Sequence, residues 1–364
     1  MAAYTMKKYS SFDVVPGMEI GKDVLNEDGQ VILSNGVILN ETMIEGLQFW
    51  DISTVEIREL VEESEKETTP TAAKIERSVS SAQQQFSGSY HHTMDKVKKA
   101  FETIRAFNEV PIVQMNELMK DGVQPLLEST GVVNYLHMVD RDNEYQFHHS
   151  VNVAVMCGVL GKWLGITGAE LQELIMAGLL HDIGNAQIDA KIINKPGPLT
   201  PEEMKVVRTH TVLGYQMVKD RKSISTNIAQ GILQHHERVD GTGYPLQLPK
   251  DRIHRFAKII AVADTYDAMT SDRVYKAKVS PFKVVETMLE EMYNKLDPEI
   301  CTVFLNNVRD YFVGNIVELS DGRQAEVVYI SPITASRPTV RTADGEFVDL
   351  EKNKNISIMD LVQT

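Results

Sequence analysis

The chain has few cysteines and no long apolar stretch, and each shortage excludes a class of protein. Two cysteines among 364 residues cannot build a disulfide framework, so a reducing cytoplasm is the expected setting. No apolar run approaches the roughly 18 residues that a membrane-spanning helix needs. The first ten residues lack the apolar core of a secretory peptide. The sequence therefore predicts a cytoplasmic protein without a membrane partner.

Positive charge is also in short supply. The chain has 37 lysines and arginines against 51 acidic residues, which gives a formal net charge of −14. Broad nucleic-acid binding normally needs a basic surface, so no nucleic-acid partner is expected. An anionic small substrate stays compatible with this charge, because bound cations can dominate the local field.

The pattern along the chain predicts a mostly α fold in four segments. Short apolar runs between turn signals predict a small β-rich domain over residues 1–60. Residues 72–139 predict a helical connector whose apolar spacing fits either a homodimer seam or packing within the chain. Helix after helix follows over residues 140–312, which predicts an all-α domain. Alternating strand and turn signals predict a short β-rich extension over residues 313–364.

Start and stop signals are explicit within the predicted all-α domain. Thr200, Pro201 and Glu203 form a capping box with proline at the first helical position. Gly184 is expected to stop the helix that precedes it. The clearest predicted helices cover residues 145–164, 168–180, 201–218, 227–234, 253–270 and 281–295.

Histidines and aspartates recur in the apolar helical stretches of this domain. Each one alone is better explained as a satisfied core histidine or a capping aspartate. Burying the whole set without partners would be costly, and imidazole with carboxylate suits iron, manganese or zinc. Adjacent helical residues point about 100° apart, so His181 and Asp182 fit two metals or a helix end. The predicted metal site comprises His149, His181, Asp182, His210, His235, His236 and Asp264.

Residues from about 141 to 312 resemble the HD-GYP family, a branch of the HD phosphohydrolases. The resemblance covers nearly half the chain and rests on several separate motifs. The matching segments are His149 to Ala154, Leu179 to Gly184, Asn194 to Gly197, Thr209-His210, His235 to Arg238, Gly243-Tyr244-Pro245, Ala261 to Asp264 and Ser271 to Lys276.

The resemblance implies an all-α domain that hydrolyses cyclic di-GMP to linear pGpG, with GMP as a further product, at a centre of two or three metal ions, usually iron or manganese. It makes the seven residues above the metal ligands, with Asp182 bridging two ions. Arg273 and Lys276 would hold the substrate phosphate. Gly243, Tyr244 and Pro245 would form the signature loop beside the site. The same loop would offer a surface to a diguanylate cyclase or another signalling protein.

Asn185 is the first departure from the family pattern, which usually has lysine at this position. A neutral amide replaces a cation that would face the substrate phosphate, although the amide still donates a hydrogen bond. Asn185 therefore joins Asp182, Arg273 and Lys276 as a candidate catalytic residue, and low activity is expected. The competing hypothesis is a receptor that binds metal and cyclic di-GMP without useful turnover. Hydrolysis of a different nucleotide is a third reading, which the Gly-Tyr-Pro segment disfavours.

The second departure concerns a third metal ion. Family members with three ions have a glutamate one helical turn before the first ligand histidine. Tyr145 occupies that position before His149, whereas Glu144 occupies it before His148. The motif alignment favours His149 as the ligand and so predicts two ions. A shift of one residue would reverse this prediction.

Overall fold

Helices form most of the structure, with β-sheets near the two ends of the chain, which confirms the predicted fold class. This computed structural model describes residues 3–11, 13–25, 31–40, 43–44, 46–47, 52–61, 72–129, 132–138, 145–271, 280–292, 294–331 and 336–362. The chain divides into two compact units. The first comprises Met1–Val79, Ser280–Glu286 and Asn306–Thr364, and the second comprises Ser80–Val279 and Thr287–Leu305.

The described residues of the first unit form three antiparallel sheets. Their strand orders are β1-β5-β2, β3-β4 and β10-β6-β7-β8-β9. In β5 the side chains of Val55 and Ile57 are buried, while Thr54 is exposed and Glu56 is half-buried, as alternation along a one-sided strand requires. The strands are β1 (Ala3–Ser10), β2 (Glu19–Ile20), β3 (Val24–Leu25), β4 (Val31–Leu33), β5 (Thr54–Val61), β6 (Ile316–Leu319), β7 (Gln324–Tyr329), β8 (Thr339–Thr342), β9 (Phe347–Asp349) and β10 (Ile358–Leu361).

The core of this unit takes residues from both ends of the chain. Val328 and Tyr329, from β7, join the buried cluster that contains Ile20, Ile32 and Ile57. Patterning along the chain reports which residues are buried but not which distant segment they meet. The boundaries of the predicted N-terminal domain and C-terminal extension stay a prediction.

The second unit is helical. Helix α5 packs against α6 and α11, and α10 packs against α6, α9 and α11. The helices of the chain are α1 (Ala72–Phe107), α2 (Ile112–Leu118), α3 (Gln124–Leu127), α4 (Val132–Met138), α5 (Tyr145–Trp163), α6 (Gly168–Leu180), α7 (Ala190–Ile193), α8 (Pro201–Val207), α9 (His210–Val218), α10 (Thr226–Gln234), α11 (Arg255–Thr270), α12 (Pro281–Glu291) and α13 (Pro298–Val308). No helix among the described residues is both long and apolar enough to cross a membrane.

The predicted connector begins with the long helix α1. Its apolar face, which includes Met94, Val97, Phe101 and Ile104, is buried within the single chain. Phe107, at the end of the same face, is 75% exposed. The apolar spacing thus has an explanation within one chain, and the predicted homodimer gains no support from this face.

The single helix predicted over residues 201–218 is two helices, α8 and α9. It starts as predicted, with both hydrogen bonds of the Thr200–Glu203 capping box present. The helix breaks near its middle, where side chains donate hydrogen bonds to backbone carbonyl oxygens. The Thr209 hydroxyl donates to the Val206 carbonyl at 2.7 Å, and His210 Nδ1 donates to the Val207 carbonyl at 2.7 Å. The break places His210 at the first position of α9.

Gly184 does not stop helix α6 in the way predicted. The helix ends at Leu180, and Gly184 lies in the 3-10 turn Ile183–Gln187 without the positive φ of a glycine cap. A Cβ atom on Gly184 would lie 1.9 Å from the His210 carbonyl oxygen and 2.6 Å from the Gly214 nitrogen. Glycine is therefore required here for the close approach of α9.

Candidate metal centre

The seven predicted metal ligands converge into two groups in the second unit. One group contains Asp182, His210, His235 and His236, and the other contains His149, His181 and Asp264. Within each group the ligand atoms lie within 4.8 Å of one another. They come from the ends or the interiors of five different helices and from the turn after α6, so only the packing of the helices brings them together.

Three of the histidines share one local device. His181, His210 and His235 each follow the last residues of a helix, where backbone carbonyls lack helical partners. Each Nδ1 donates to the carbonyl three residues earlier, on Gly178, Val207 and Ile232, at 2.7 to 2.8 Å. This bond fixes the tautomer and leaves the Nε2 lone pair free for a metal.

Asp182 lies between the two groups. Its Oδ1 is 3.1 Å from His210 Nε2 and 3.7 Å from His235 Nε2. Its Oδ2 faces the other group, 3.6 Å from His181 Nε2. Each carboxylate oxygen therefore points to a different group of imidazoles, as a bridging ligand requires.

His149 lies between two carboxylates on helix α11. Its Nε2 is 3.2 Å from Asp264 Oδ1, and its Nδ1 is 2.7 Å from Asp267 Oδ2. Asp267 is buried and is one turn beyond Asp264 on the same helix. A carboxylate on the remote nitrogen of a metal-binding histidine orients the ring and raises its basicity.

The spacing of these atoms fits metal ions. Two atoms bound to one ion at about 2.0–2.2 Å lie roughly 3.0–3.5 Å apart in tetrahedral or octahedral geometry. The Nε2 atoms of His210 and His235 are 3.3 Å apart. The buried Nε2 of His181 has no hydrogen-bond partner among the described residues, an arrangement that is costly unless the nitrogen binds a cation. Imidazole and carboxylate donors without thiolate suit iron, manganese or zinc.

In the metal-free protein, the pKa values of His181 and His149 are shifted in opposite directions. Burial lowers the pKa of His181 to about 4, so this ring is neutral at pH 7. Burial alone would also lower the pKa of His149. Its hydrogen bonds to Asp264 and Asp267 outweigh that effect and raise the pKa to about 10. Metal binding at His149 must therefore displace a proton.

The Gly-Tyr-Pro loop lies against the group that contains His236. The Tyr244 ring stacks on the His236 ring, with centroids 4.7 Å apart. A Cβ atom on Gly243 would lie 2.3 Å from the Arg238 nitrogen, so only glycine permits this approach. The buried carboxylate of Glu237 accepts hydrogen bonds from the Leu246 and Leu248 nitrogens at 2.6 and 3.0 Å. The residue after the two histidines thus holds the loop in place.

Arg208 is a cation beside this loop that the sequence reading missed. It lies two residues before His210, and its guanidinium carbon is 5.1 Å from the centroid of the Tyr244 ring. Arg208 is exposed to solvent. Arg208, Tyr244 and His236 therefore form a stack that leads from solvent to a candidate ligand.

The predicted phosphate ligands Arg273 and Lys276 lie outside the described residues. Glu144 and the side chain of Tyr145, on which the prediction about a third ion depends, also lie outside them. Asn185 is described, and it lies in the turn that follows Asp182. Its buried Oδ1 has no hydrogen-bond partner among the described residues.

His148 belongs to neither group of candidate ligands. It is buried, and its ring stacks on that of Tyr90 with centroids 5.7 Å apart. His149, the neighbour favoured by the motif alignment, is the one that points to the candidate ligands. Sequence reasoning missed Asp267, which bonds to His149, and Asn152, whose Nδ2 donates to Asp267 Oδ1 at 2.7 Å. Asp267 lies three residues after Asp264, and Asn152 lies three residues after His149. This spacing places the two members of each pair on the same helix face, which is the signal that could have found them.

Comparison with known proteins places this site in a family context. A family model described as an HD domain matches residues 134–300. A cyclic di-GMP phosphodiesterase of Pseudomonas aeruginosa is 34% identical over 232 residues, which cover 64% of this chain and 56% of that protein. The cyclic di-GMP phosphodiesterase PdeB of Borreliella burgdorferi is 28% identical over 234 residues, which cover 64% of this chain and 61% of that protein. The match thus spans little more than half the length of these relatives.

One solved structure resembles the chain over most of its length. It is Bd1817, described as a HDG"Y"P protein from Bdellovibrio bacteriovorus, with a TM-score of 0.50 and 16% sequence identity. The alignment covers 83% of this chain and 98% of that one. At this identity the likeness concerns the fold alone.

Proposed function

We propose that this chain is a metal-dependent phosphodiesterase of the HD-GYP type that opens cyclic di-GMP to linear pGpG, with GMP as a further product; the match of residues 134–300 to a family model described as an HD domain supports the proposal. The position of Asp182 carries the proposal. One of its oxygens faces His210 and His235, and the other faces His181. A carboxylate between two imidazole groups is the donor arrangement of a dinuclear site.

In this proposal the seven converging residues would hold two divalent ions, with Asp182 facing both ligand groups. When bound, such ions would supply a water nucleophile of lowered pKa and neutralise charge on the phosphoryl oxygens. The helix-end carbonyls keep His181, His210 and His235 in the tautomer that presents Nε2. Iron or manganese is the proposed metal, because nitrogen and oxygen donors suit both ions and the resemblance to the HD-GYP family implies these two rather than zinc.

Several residues are proposed to contact the nucleotide. Arg273 and Lys276 remain proposed phosphate ligands, and Gly243, Tyr244 and Pro245 remain the proposed loop beside the substrate. Arg208 joins them here, because its exposed guanidinium lies over the Tyr244 ring and can pair with a phosphate bidentately.

Asn185 is proposed to face the scissile phosphate with an amide instead of a cation. Its place in the turn directly after Asp182 supports this assignment, since the two residues are joined by the bond from the Asn185 nitrogen to the Asp182 carbonyl. Slow turnover is the expected consequence. If the protein binds cyclic di-GMP but shows no turnover, the receptor hypothesis replaces the enzyme hypothesis.

The wider setting is also proposed. The two free buried cysteines support a cytoplasmic location. The Gly-Tyr-Pro loop exposes Leu246 by 53%, which supports a contact between this loop and a diguanylate cyclase or another signalling protein. A homodimer built on the helical stretch 72–139 remains a prediction that light scattering can test.

The decisive experiment combines metal analysis with turnover. Wild-type protein, purified without oxygen, should hold about two ions per chain and convert cyclic di-GMP to pGpG, followed by chromatography. Asp182→Ala should lose most of the metal and the activity, because it removes the bridge. Asp251→Ala is the matched control, since this aspartate is exposed and lies outside both ligand groups.

The outcomes separate the hypotheses. Metal retained in full by Asp182→Ala would overturn the assignment of the bridge. A fully metallated wild type that binds cyclic di-GMP without cleaving it would favour the receptor. Faster cleavage of cyclic GMP-AMP than of cyclic di-GMP would assign a different substrate.

A further inference from the structure

A buried chain of hydrogen bonds leads from His149 to the connector helix α1. Asp267 Oδ2 accepts from His149 Nδ1 at 2.7 Å, and Asp267 Oδ1 accepts from Asn152 Nδ2 at 2.7 Å. The hydroxyl of Ser271 adds a third bond to Asp267 at 3.0 Å. With these bonds a buried carboxylate is stabilised, and the His149 ring is held with Nε2 towards Asp264.

The amide of Asn152 passes the chain on to Tyr90. The Tyr90 hydroxyl donates to Asn152 Oδ1 at 2.7 Å. The two ends of the amide thus have opposite tasks, since Oδ1 accepts from tyrosine while Nδ2 donates to the carboxylate. A reversed amide would place two oxygens against each other at Asp267. The Tyr90 hydroxyl therefore favours the orientation that supports Asp267.

Tyr90 is held firmly enough to act in this way. It is fully buried, and its ring lies 6.0 Å from that of Phe86 and 5.7 Å from that of His148. His148 Nδ1 is 3.1 Å from the Tyr90 hydroxyl. Because the hydroxyl proton goes to Asn152, the His148 ring acts as the donor in that contact. All six residues of this chain of bonds, His148, His149, Asn152, Asp267, Ser271 and Tyr90, are buried.

We propose that Tyr90 is a positioning residue of the metal centre, which acts through Asn152 and Asp267 on His149. Tyr90 lies outside residues 134–300, which match the HD-domain family model. Helix α1 thus completes a site whose metal ligands all lie within the HD domain. The proposal rests on the metal centre proposed above and deepens it by adding a residue from the connector.

The test is the affinity for Mn²⁺, measured by competition with a chelator on metal-free protein. Tyr90→Phe keeps the ring contacts and removes the hydroxyl, so affinity should fall by about 2- to 10-fold. Asp267→Asn, which acts directly on His149, should lower affinity by about 10- to 100-fold. Tyr135→Phe is the control, because the Tyr135 ring also contacts Phe86, at 5.2 Å, but Tyr135 is not part of this chain of bonds.

A double variant tests whether the two residues act in one path. If they do, Tyr90→Phe should have little further effect in the Asp267→Asn background. Effects that multiply in full would overturn the proposal. Thermal unfolding of each metal-free variant separates positioning from stability, and a lower melting temperature with unchanged Mn²⁺ affinity would also overturn it.

Failure of this proposal is distinguishable from failure of the proposed function. Wild-type protein that binds no Mn²⁺ would reject the metal centre itself. Equal Mn²⁺ affinities of the wild-type and Tyr90→Phe proteins would reject only the role of Tyr90.

Discussion

Replacing Gly184 by alanine should damage the metal centre without touching a candidate ligand. The added Cβ would lie 1.9 Å from the His210 carbonyl oxygen and 2.8 Å from the His210 carbonyl carbon. The first distance is about 1.5 Å shorter than the 3.4 Å at which ordinary contact begins. Both atoms belong to backbone, so no side-chain rotation relieves the clash, and the start of α9 must move.

The size of that movement decides the effect. A shift of about 1 Å at His210 exceeds the tolerance of roughly 0.2 Å on metal–ligand distances. Overpacking of this kind typically costs about 1–3 kcal/mol, and each kcal/mol lowers the melting temperature by about 2–4 °C in a domain of this size. We expect Gly184→Ala to lose one of two ions and to melt several degrees lower than the wild type.

The assay is metal content by mass spectrometry together with calorimetry of the same samples. Gly88→Ala is the matched control, because its Cβ would meet open space within helix α1. That exchange should leave the metal in place and, if anything, stabilise the helix by about 0.5–1 kcal/mol. Full metal content and a wild-type melting temperature in Gly184→Ala would refute the reasoning.

Three further predictions concern the same site. Affinity for Mn²⁺ should rise with pH by up to about tenfold per unit between pH 7 and 9, because the ion competes with the proton on His149, whose pKa is about 10. His181 is already neutral above pH 5 and adds no such dependence. A flat profile in the same titration would contradict this prediction. Asn185→Lys should raise kcat by on the order of 10²-fold with little change in KM, since the new charge acts mainly in the transition state; steady-state kinetics on fully metallated protein decide it, and an unchanged kcat would refute it. Arg208→Ala should weaken binding of cyclic di-GMP with unaltered metal content, whereas replacing Lys205, an exposed cation on α8 three residues before Arg208, by alanine should leave binding as in the wild type. Equal affinities by calorimetry would remove Arg208 from the site.

Much of the fold and the candidate site was predictable because the signals are local. The Thr200 capping box involves residues within one helical turn, and the bounds of α6 follow from apolar periodicity. The candidate ligands could be named because histidine and aspartate within apolar helices are chemically unusual. Their motifs also resemble those of one family.

Tertiary packing decided the features that join distant parts of the chain. His149 and Asp267 are 118 residues apart, and Tyr90 and Asn152 are 62 apart. No periodicity within a helix reports which partner lies across an interface. The role of Gly184 was misread for the same reason, since glycine serves equally for a helix cap and for close approach. The sequence by itself determined which residues are candidate metal ligands and where most helices start, because those properties depend on side-chain chemistry and near neighbours. Only the packed structure decided which carboxylate orients which imidazole, because that depends on atoms brought within 3 Å by the whole fold.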